Sequence, residues 1–354
     1  MSSLITWIAV LLIFVILVLI FRIQKLVAVL KGSNDQIGTS NKVNAALMVI
    51  VPFFMLLAVV YYSPAMSAHF LPEASSIHGK WTDDLFWDTI AIISAMFVIT
   101  NIALFWFAFK YQYNPNRKAT FYHDNTRLEI FWTIIPAVIM ALLVFWGYTV
   151  WDKIMRMPVP ENAEIVEIMG KQFGWQVRYP GKDNQLGKYD FRLTDDAAGN
   201  EFGIDFEDPK SFDDFTATEM HIPVDKPIQL KIRARDVLHS VFIPHMRVKM
   251  DAVPGMPTQF VFTPTKSTQQ MRDETGNPKF NYEIACTEIC GRGHFGMKMI
   301  LVVDDAKDYK KWIAAQTPVL EQKPELKGKG MSQFRKKNLA DKKEQEKNKV
   351  KASL

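Results

Sequence analysis

The run Cys286-Thr287-Glu288-Ile289-Cys290-Gly291-Arg292-Gly293-His294-Phe295-Gly296-Met297 holds both cysteines of the chain, a histidine and a methionine within twelve positions. The thiols lie four positions apart, the histidine four further on and the methionine three beyond that. Thiolate, imidazole and thioether form a soft donor set that suits copper. Thiolates also bridge metals, so a Cys-x3-Cys loop can hold both sulfurs between two ions. Gly291, Gly293 and Gly296 give such a loop its backbone freedom. Each ion then needs a terminal imidazole. His294 supplies one, and the other must come from elsewhere. Of the seven histidines, His69, His78, His123 and His221 show no partner pattern. His239 follows a strand-like run and Asp236-Val237-Leu238, and His245, six residues later, competes for the same role. On spacing alone three other readings stay open. The cysteines could form a local disulfide, which an oxidising compartment favours. They could hold zinc, although a methionine has no place in a closed Cys/His site. Met297 could simply be core.

Working outward, the chain of 354 residues divides sharply. A mean hydropathy near zero hides a first segment, to residue 151, with nearly all the long apolar runs. Four stretches are long enough to cross a bilayer, which takes about 20 residues per helix: Leu4–Phe21, Ala45–Tyr62, Phe86–Phe109 and Ile130–Trp151. Pro52 and Pro136 interrupt two of them, which membrane helices tolerate. The first stretch has no positive residue before it, and Arg22 and Lys25 follow it, the reverse of a secretory signal. It reads as a retained helix. Residues 22–44 carry Arg22, Lys25, Lys31 and Lys42, and residues 110–127 carry Lys110, Arg117, Lys118 and Arg127. Between them, residues 63–85 have Lys80 as their one Lys or Arg, beside Glu73, Asp83 and Asp84. The positive-inside rule places the two basic loops in the cytoplasm, and both termini outside it.

From Glu164 onward the pattern becomes short β-branched and aromatic runs: Glu164–Met169, Phe173–Tyr179, Ile228–Ile232, Ser240–Ile243, Gln259–Thr263, Asn281–Ala285 and Lys298–Val303. Gly, Pro and Asp separate them, which predicts a small β-sandwich or Greek-key barrel. Residues 182–219 hold eleven acidic and four basic side chains and read as a long surface loop. Residues from 319 are rich in Lys, Glu and Gln and are expected to be disordered. The net charge of +5 sits mostly in that tail, so it does not indicate a nucleic-acid binder.

These residues resemble a known family, subunit II of cytochrome c oxidase in the haem-copper oxidase superfamily. Cys286-x-Glu288-x-Cys290-x3-His294-x2-Met297 is similar to the family's binuclear copper (CuA) motif at every ligand position. Asp236-Val237-Leu238-His239-Ser240 resembles the segment bearing the first histidine, and Asp251-Ala252-Val253-Pro254-Gly255 the segment after it. Glu129, Trp132-Thr133 and Pro136 resemble the start of the second helix of the family's membrane hairpin. The likeness runs from about residue 84 to about residue 315.

The resemblance implies an α+β membrane protein: four transmembrane helices followed by an extracytoplasmic cupredoxin-like Greek-key β-barrel. The implied division is 1–62 (two extra N-terminal helices), 63–85 (extracytoplasmic loop), 86–151 (helical hairpin), 152–318 (copper domain) and 319–354 (basic tail). It implies that Cys286 and Cys290 bridge two coppers, with His239 and His294 terminal. Met297 and the Glu288 carbonyl would be weak ligands. The Glu288 side chain would hold magnesium at the border with subunit I, which carries the haems. Glu129 would sit at the mouth of a proton channel. The implied donor is cytochrome c, or a cytochrome c domain of another complex, and the other partners are oxidase subunits and membrane lipid. The implied location is the bacterial inner membrane, with the copper domain outside the cytoplasm, and the implied task is electron delivery for proton-pumping oxygen reduction.

Two features depart from the family pattern. In Gly170-Lys171-Gln172-Phe173-Gly174-Trp175 the usual entry tryptophan is replaced by Phe173, with Trp175 a nearby candidate. Two helices also precede the usual hairpin. With two cysteines in all, no Cys-x2-Cys-His haem attachment follows the copper motif. The acidic loop 182–219 would steer a basic cytochrome. A copper-free quinol oxidase relative is disfavoured by the intact ligand set, and a simple copper carrier leaves Glu129 and Asp251–Gly255 unexplained.

Overall fold

The structure is a computed structural model that describes the backbone of residues 2–30, 34–114 and 116–352. Side chains are described for residues 7, 11–27, 29–30, 41–66, 70–114, 116–340 and 345. Lys31 of the first basic loop and the side chain of His69 lie outside the described residues. The chain forms two compact units, 1–71 with 88–141 and 72–87 with 142–354.

The first unit is helical. It contains α1 (Ser2–Leu30), α2 (Asn34–Phe70) and parts of α3 (Ile77–Lys110) and α4 (Thr126–Met155). Among the described residues three stretches are long and apolar enough to cross a membrane: Asn41–Met66, Ile77–Lys110 and Thr126–Met155. Their apolar side chains are largely exposed, as a lipid-facing surface requires. α1 is a fourth helix, of 29 residues, with exposed Leu, Ile and Val along residues 11–20. Pro52 and Pro64 lie inside α2 and Pro136 inside α4 without ending either helix.

The loop expected over 63–85 shrinks to residues 71–76, because both flanking helices run further than their apolar cores. Residues 72–87 belong to the β-unit instead. Arg247 clamps Asp83 there with Nε–Oδ1 at 2.7 Å and Nη2–Oδ2 at 2.8 Å. His78 is buried, with Ser76 Oγ 3.3 Å from Nδ1 and the Arg247 carbonyl 3.4 Å from Nε2. Its partners are distant in sequence or hidden in a helix start, so no local pattern announced them. The Lys153 ammonium lies 3.3 Å over the Trp81 ring, joining the end of α4 to the start of α3.

The β-domain consists of two five-stranded sheets. Its strands are β1 (Glu164–Lys171), β2 (Gly174–Tyr179), β3 (Phe215–Ala217), β4 (Met220–Pro223), β5 (Ile228–Ala234), β6 (His239–Ile243), β7 (Val248–Ala252), β8 (Thr258–Phe262), β9 (Tyr282–Cys286) and β10 (Lys298–Asp304). One sheet has the order β3-β2-β1-β5-β8 and the other β4-β10-β9-β6-β7. The pairs β1–β5 and β4–β10 are parallel and the rest antiparallel. Alternate residues of both sheets, such as Val166, Ile168, Leu230, Ile232, Val241, Ile284 and Leu301, fill one core. Cys286, Cys290 and Met297 are part of it.

The segment 182–219 is more than a solvated loop. Its Phe202, Ile204 and Phe206 pack with Met169, Val319 and Leu326 in a second apolar cluster. The tail expected to be disordered from 319 therefore starts with ordered residues, because Val319 and Leu326 have a place to be buried. Beyond them α8 spans Met331–Ala352, its first turn held by Ser332 N on a Glu207 carboxylate oxygen at 3.1 Å.

The insert is anchored by buried charge. Arg178 is fully buried; its Nη1 donates to Glu167 at 3.1 Å, its Nε to Asp214 at 3.1 Å and its Nη2 to the Gly187 carbonyl at 2.7 Å. Arg233 Nε completes the row on the other oxygen of Glu167 at 2.6 Å. Burial pushes the Asp214 carboxyl up to about 6, outweighing the attraction of Arg178.

Candidate metal centre

The cysteine loop joins β9 to β10, which pair with each other, and β6 lies on the other side of β9. Cys286 is the last residue of β9, and His239 is the first of β6. Opposite ends of adjacent antiparallel strands meet, so a residue 47 positions away in sequence comes beside the cysteine. Cys286 N donates to the Met297 carbonyl at 3.1 Å and closes the base of the loop, while Thr287 N donates to the Ser240 carbonyl at 3.2 Å. Gly291 has φ +129°, a backbone conformation that residues with a Cβ rarely adopt.

The donor atoms converge. His239 Nδ1 lies 3.9 Å from Cys286 Sγ, and Cys286 Sγ lies 4.0 Å from Cys290 Sγ. Cys290 Sγ is 3.7 Å from both His294 Nδ1 and Met297 Sδ. The Glu288 carbonyl is 3.2 Å from Cys286 Sγ. His239, Cys286 and Cys290 are all buried, and their donor atoms lie within 4.8 Å of one another. Each of these separations is shorter than two metal–thiolate bonds of about 2.3 Å, so one ion can touch both members of a pair. Sulfur–sulfur contact at 4.0 Å is not a disulfide, and both cysteines are free.

His245 is excluded from the cluster by its packing. Its ring meets Phe280 and Tyr282 edge-on, with centroids 5.3 Å away in both cases. Burial, then the nearby Arg247 charge, holds its pKa below the ordinary histidine value. His221 is likewise occupied: Nδ1 is 2.7 Å from Asp304, and the ring stacks on Trp312. His123 is exposed beside Asp124.

Two residues that sequence reasoning passed over hold the site in shape. Asp236 Oδ1 accepts from His239 Nε2 at 2.8 Å, which leaves Nδ1 aimed at Cys286. This is the outer carboxylate that metal-binding histidines commonly use. Burial alone would raise the Asp236 carboxyl, but hydrogen bonds from Gln172 N, His239 and Val237 N outweigh it and keep its pKa below normal. The Asp-x-x-His spacing was a usable signal for it. The second residue is Gln172, at the tip of the β1–β2 hairpin, for which the sequence offered no signal.

Phe173, at the same tip, is 45% exposed, and its ring covers the loop glycines. A Cβ on Gly293 would come 2.4 Å from Phe173 Cγ, so that position requires glycine. Trp175 is 5% exposed, with its ring edge-on to His239 at 5.9 Å. It cannot present a surface to a soluble partner. Gly170 makes room for this pair, since a Cβ there would lie 2.9 Å from both His239 Cδ2 and Trp175 Cζ3. Around the loop, Ile289 and Phe295 are exposed. The Glu288 side chain is exposed, as is that of Glu129 in the first turn of α4.

The acids of 182–219 are mostly engaged within the molecule. Asp190 pairs with Arg192, Asp196 with Arg235, Glu201 with Lys171 and Asp214 with Arg178. Asp208 and Asp213 accept backbone N–H groups. Backbone hydrogen bonds fix these carboxylates without cancelling their charge, so eleven acids against four bases still leave the segment acidic.

Burial, then the neighbouring Cys286 thiol, pushes the Cys290 thiol up to about 11. Since a thiolate is the metal ligand, loading must expel that proton at neutral pH. Metal uptake is expected to strengthen about tenfold per pH unit from Cys290 alone below that value. Titrating metal into weakly buffered apoprotein and counting released protons checks this. No proton release from a Cys290-containing site would contradict it.

Most of the chain resembles known proteins. Residues 165–304 match the family model "Cytochrome C oxidase subunit II, periplasmic domain", and residues 64–150 match its transmembrane-domain counterpart. The alternative cytochrome c oxidase subunit 2 of Bradyrhizobium diazoefficiens is 34% identical over 62% of this chain and 75% of its own length. Cytochrome c oxidase subunit 2 of Thermostichus vulcanus is 26% identical over 68% of this chain and 77% of its own. The crystal structure of the periplasmic domain of subunit II of cytochrome oxidase of Bradyrhizobium japonicum aligns with 44% of this chain and 95% of that one, at 22% identity and a TM-score of 0.31. With both matched regions in their expected order and a relative of this similarity, the chain belongs to the cytochrome c oxidase subunit II family, the electron-accepting subunit of the oxidase.

Proposed function

We propose that this chain takes single electrons from a c-type cytochrome at a binuclear copper site and delivers them to the haem of its partner subunit. The observation that carries this reading is the buried convergence of His239, Cys286 and Cys290, with His294 and Met297 close by. Cys286 and Cys290 would bridge the pair. His239 and His294 would be terminal ligands, with Met297 and the Glu288 carbonyl as weak ones. Two thiolates, two imidazoles and a thioether fit copper better than zinc.

Bound copper supplies one-electron exchange with little change in bond length. The residues supply rigidity and dryness. Strands β6 and β9 fix two of the donor residues, His239 and Cys286, in the sheet, the Cys286 N–H holds the Met297 carbonyl, and Asp236 fixes the His239 ring. Burial of both thiols keeps water and competing ligands away. The exposed Phe173 over the loop is the favoured electron entry, and Trp175 lies behind it as a buried neighbour of His239.

The finer assignments follow the family reading. The Glu288 side chain would hold magnesium at the border with subunit I, where the haems lie. Glu129 would mark the mouth of a proton channel serving proton pumping. With α1 counted, four helices would cross the bacterial inner membrane, with lipid around them and the N-terminus, copper domain and C-terminus outside the cytoplasm. Metal analysis of the purified oxidase tests the core of this reading. Two coppers per copy of this chain support it; one copper, zinc or none overturns it.

A further inference from the structure

The two halves of a two-metal site need something to hold them in register, and the β1–β2 hairpin tip is placed to do so. The donors come from two separate segments. His239 opens β6 and its support Asp236 lies in the turn just before it, while Cys290, His294 and Met297 belong to the loop after β9. Gln172 is bonded to both. Its backbone N–H donates to Asp236 Oδ2 at 2.7 Å. Its side-chain Nε2 donates to the Cys290 carbonyl at 2.5 Å. Asp236 Oδ1 in turn accepts from His239 Nε2 at 2.8 Å. A continuous chain of hydrogen bonds therefore runs from the His239 ring through Asp236 and Gln172 to the backbone of Cys290.

The tip is itself well fixed. Lys171 pairs with Gly174 across the hairpin, Arg235 N donates to the Gly170 carbonyl at 2.9 Å, and Lys171 is ion-paired with Glu201 of the insert. The neighbouring Phe173 presses on Gly291 and Gly293, the residues that follow Cys290 closely. A clamp bonded to a rigid hairpin transmits that rigidity to both segments. A Gln side chain suits the task because it donates to a carbonyl without bringing a charge beside two thiolates.

We infer that Gln172 is a positioning residue of the copper centre, tying the Cys290 loop to the Asp236–His239 turn. It touches neither the donors nor the electron's partners directly, and it acts by fixing the spacing between the two ligand sets. The inference rests on the copper reading proposed above.

The test uses the intact oxidase complex carrying Gln172→Leu, which keeps the side chain's bulk and removes the donor, and Phe173→Leu as a comparison. Two quantities are read: the paramagnetic spectrum of the copper pair and the rate at which a chelator strips copper. For Gln172→Leu copper release is expected to rise about tenfold, as for loss of other outer-shell partners. Its spectrum should also shift, because the two ligand sets are no longer held at one spacing. Phe173→Leu should release copper within about twofold of the parent and keep the parent spectrum. Parent-like release and spectrum in Gln172→Leu overturn the inference while leaving the copper reading intact. Equal effects of the two substitutions also overturn it, since tip packing and not the hydrogen bond would then be the cause. A parent complex without copper sinks the underlying reading instead.

Discussion

Replacing His239 with Ala is expected to abolish the copper-pair spectrum and electron entry, whereas replacing His245 with Ala leaves both in place. The two histidines lie six positions apart and flank the same strand, so this contrast isolates the geometry. His239 is fully buried with Nδ1 facing Cys286 and Nε2 held by Asp236. Without it one ion of the proposed pair would lose its terminal imidazole, and the space left lies inside the core. His245 packs against Phe280 and Tyr282, so its loss removes aromatic contact only. That change should lower stability by about 1–2 kcal/mol, in the range for a half-buried side chain. Absorption and paramagnetic spectra of the two variant complexes check the prediction. Loss of the spectrum in His245→Ala with retention in His239→Ala would reverse the ligand assignment.

The largest stability effect is expected at Arg178. Arg178→Met leaves Asp214 buried without its cation and Glu167 with Arg233 alone. Removing one partner of a buried ion pair costs about 3–5 kcal/mol. The loss should appear as a lowered unfolding midpoint of the domain and as easy proteolysis of 182–219, which the row of charges fastens to the sheet. Removing the stranded charge as well, by combining Arg178→Met with Asp214→Asn, should recover a large part of the loss. A midpoint unchanged by Arg178→Met would show that the network does not anchor the insert.

The site was legible in the sequence to an unusual degree because its donors are concentrated in one loop. Five of the proposed ligand positions fall within 286–297, and spacing alone suggested soft-metal chemistry. The sixth, His239, needed the sheet, since only the pairing of β6 with β9 explains why it and not His245 reaches the thiols. Strands with long β-branched runs, such as β1 and β5, were readable. β3 and β4 were missed because three or four residues carry no periodicity, and β7 because its inward Val248, Met250 and Ala252 alternate with the exposed Lys249 and Asp251, which leaves no continuous apolar run. The insert looked like solvated charge because its acids outnumber its bases. Its fixed structure depends on Arg178 and Arg233, which lie outside it, and on a tail more than a hundred residues later. Such contacts leave no local trace in the chain. Asp236 had a weak signal in its spacing to His239, and Gln172 had none.

The central claim is that this loop and His239 hold two coppers that share one electron. The paramagnetic spectrum of the purified, oxidised complex tests it most directly, taken together with copper content per copy of this chain. The account predicts two coppers and a signal split by two equivalent copper nuclei. A signal from a single copper nucleus, or a complex whose thiols are free and whose copper content is below one per chain, would contradict it.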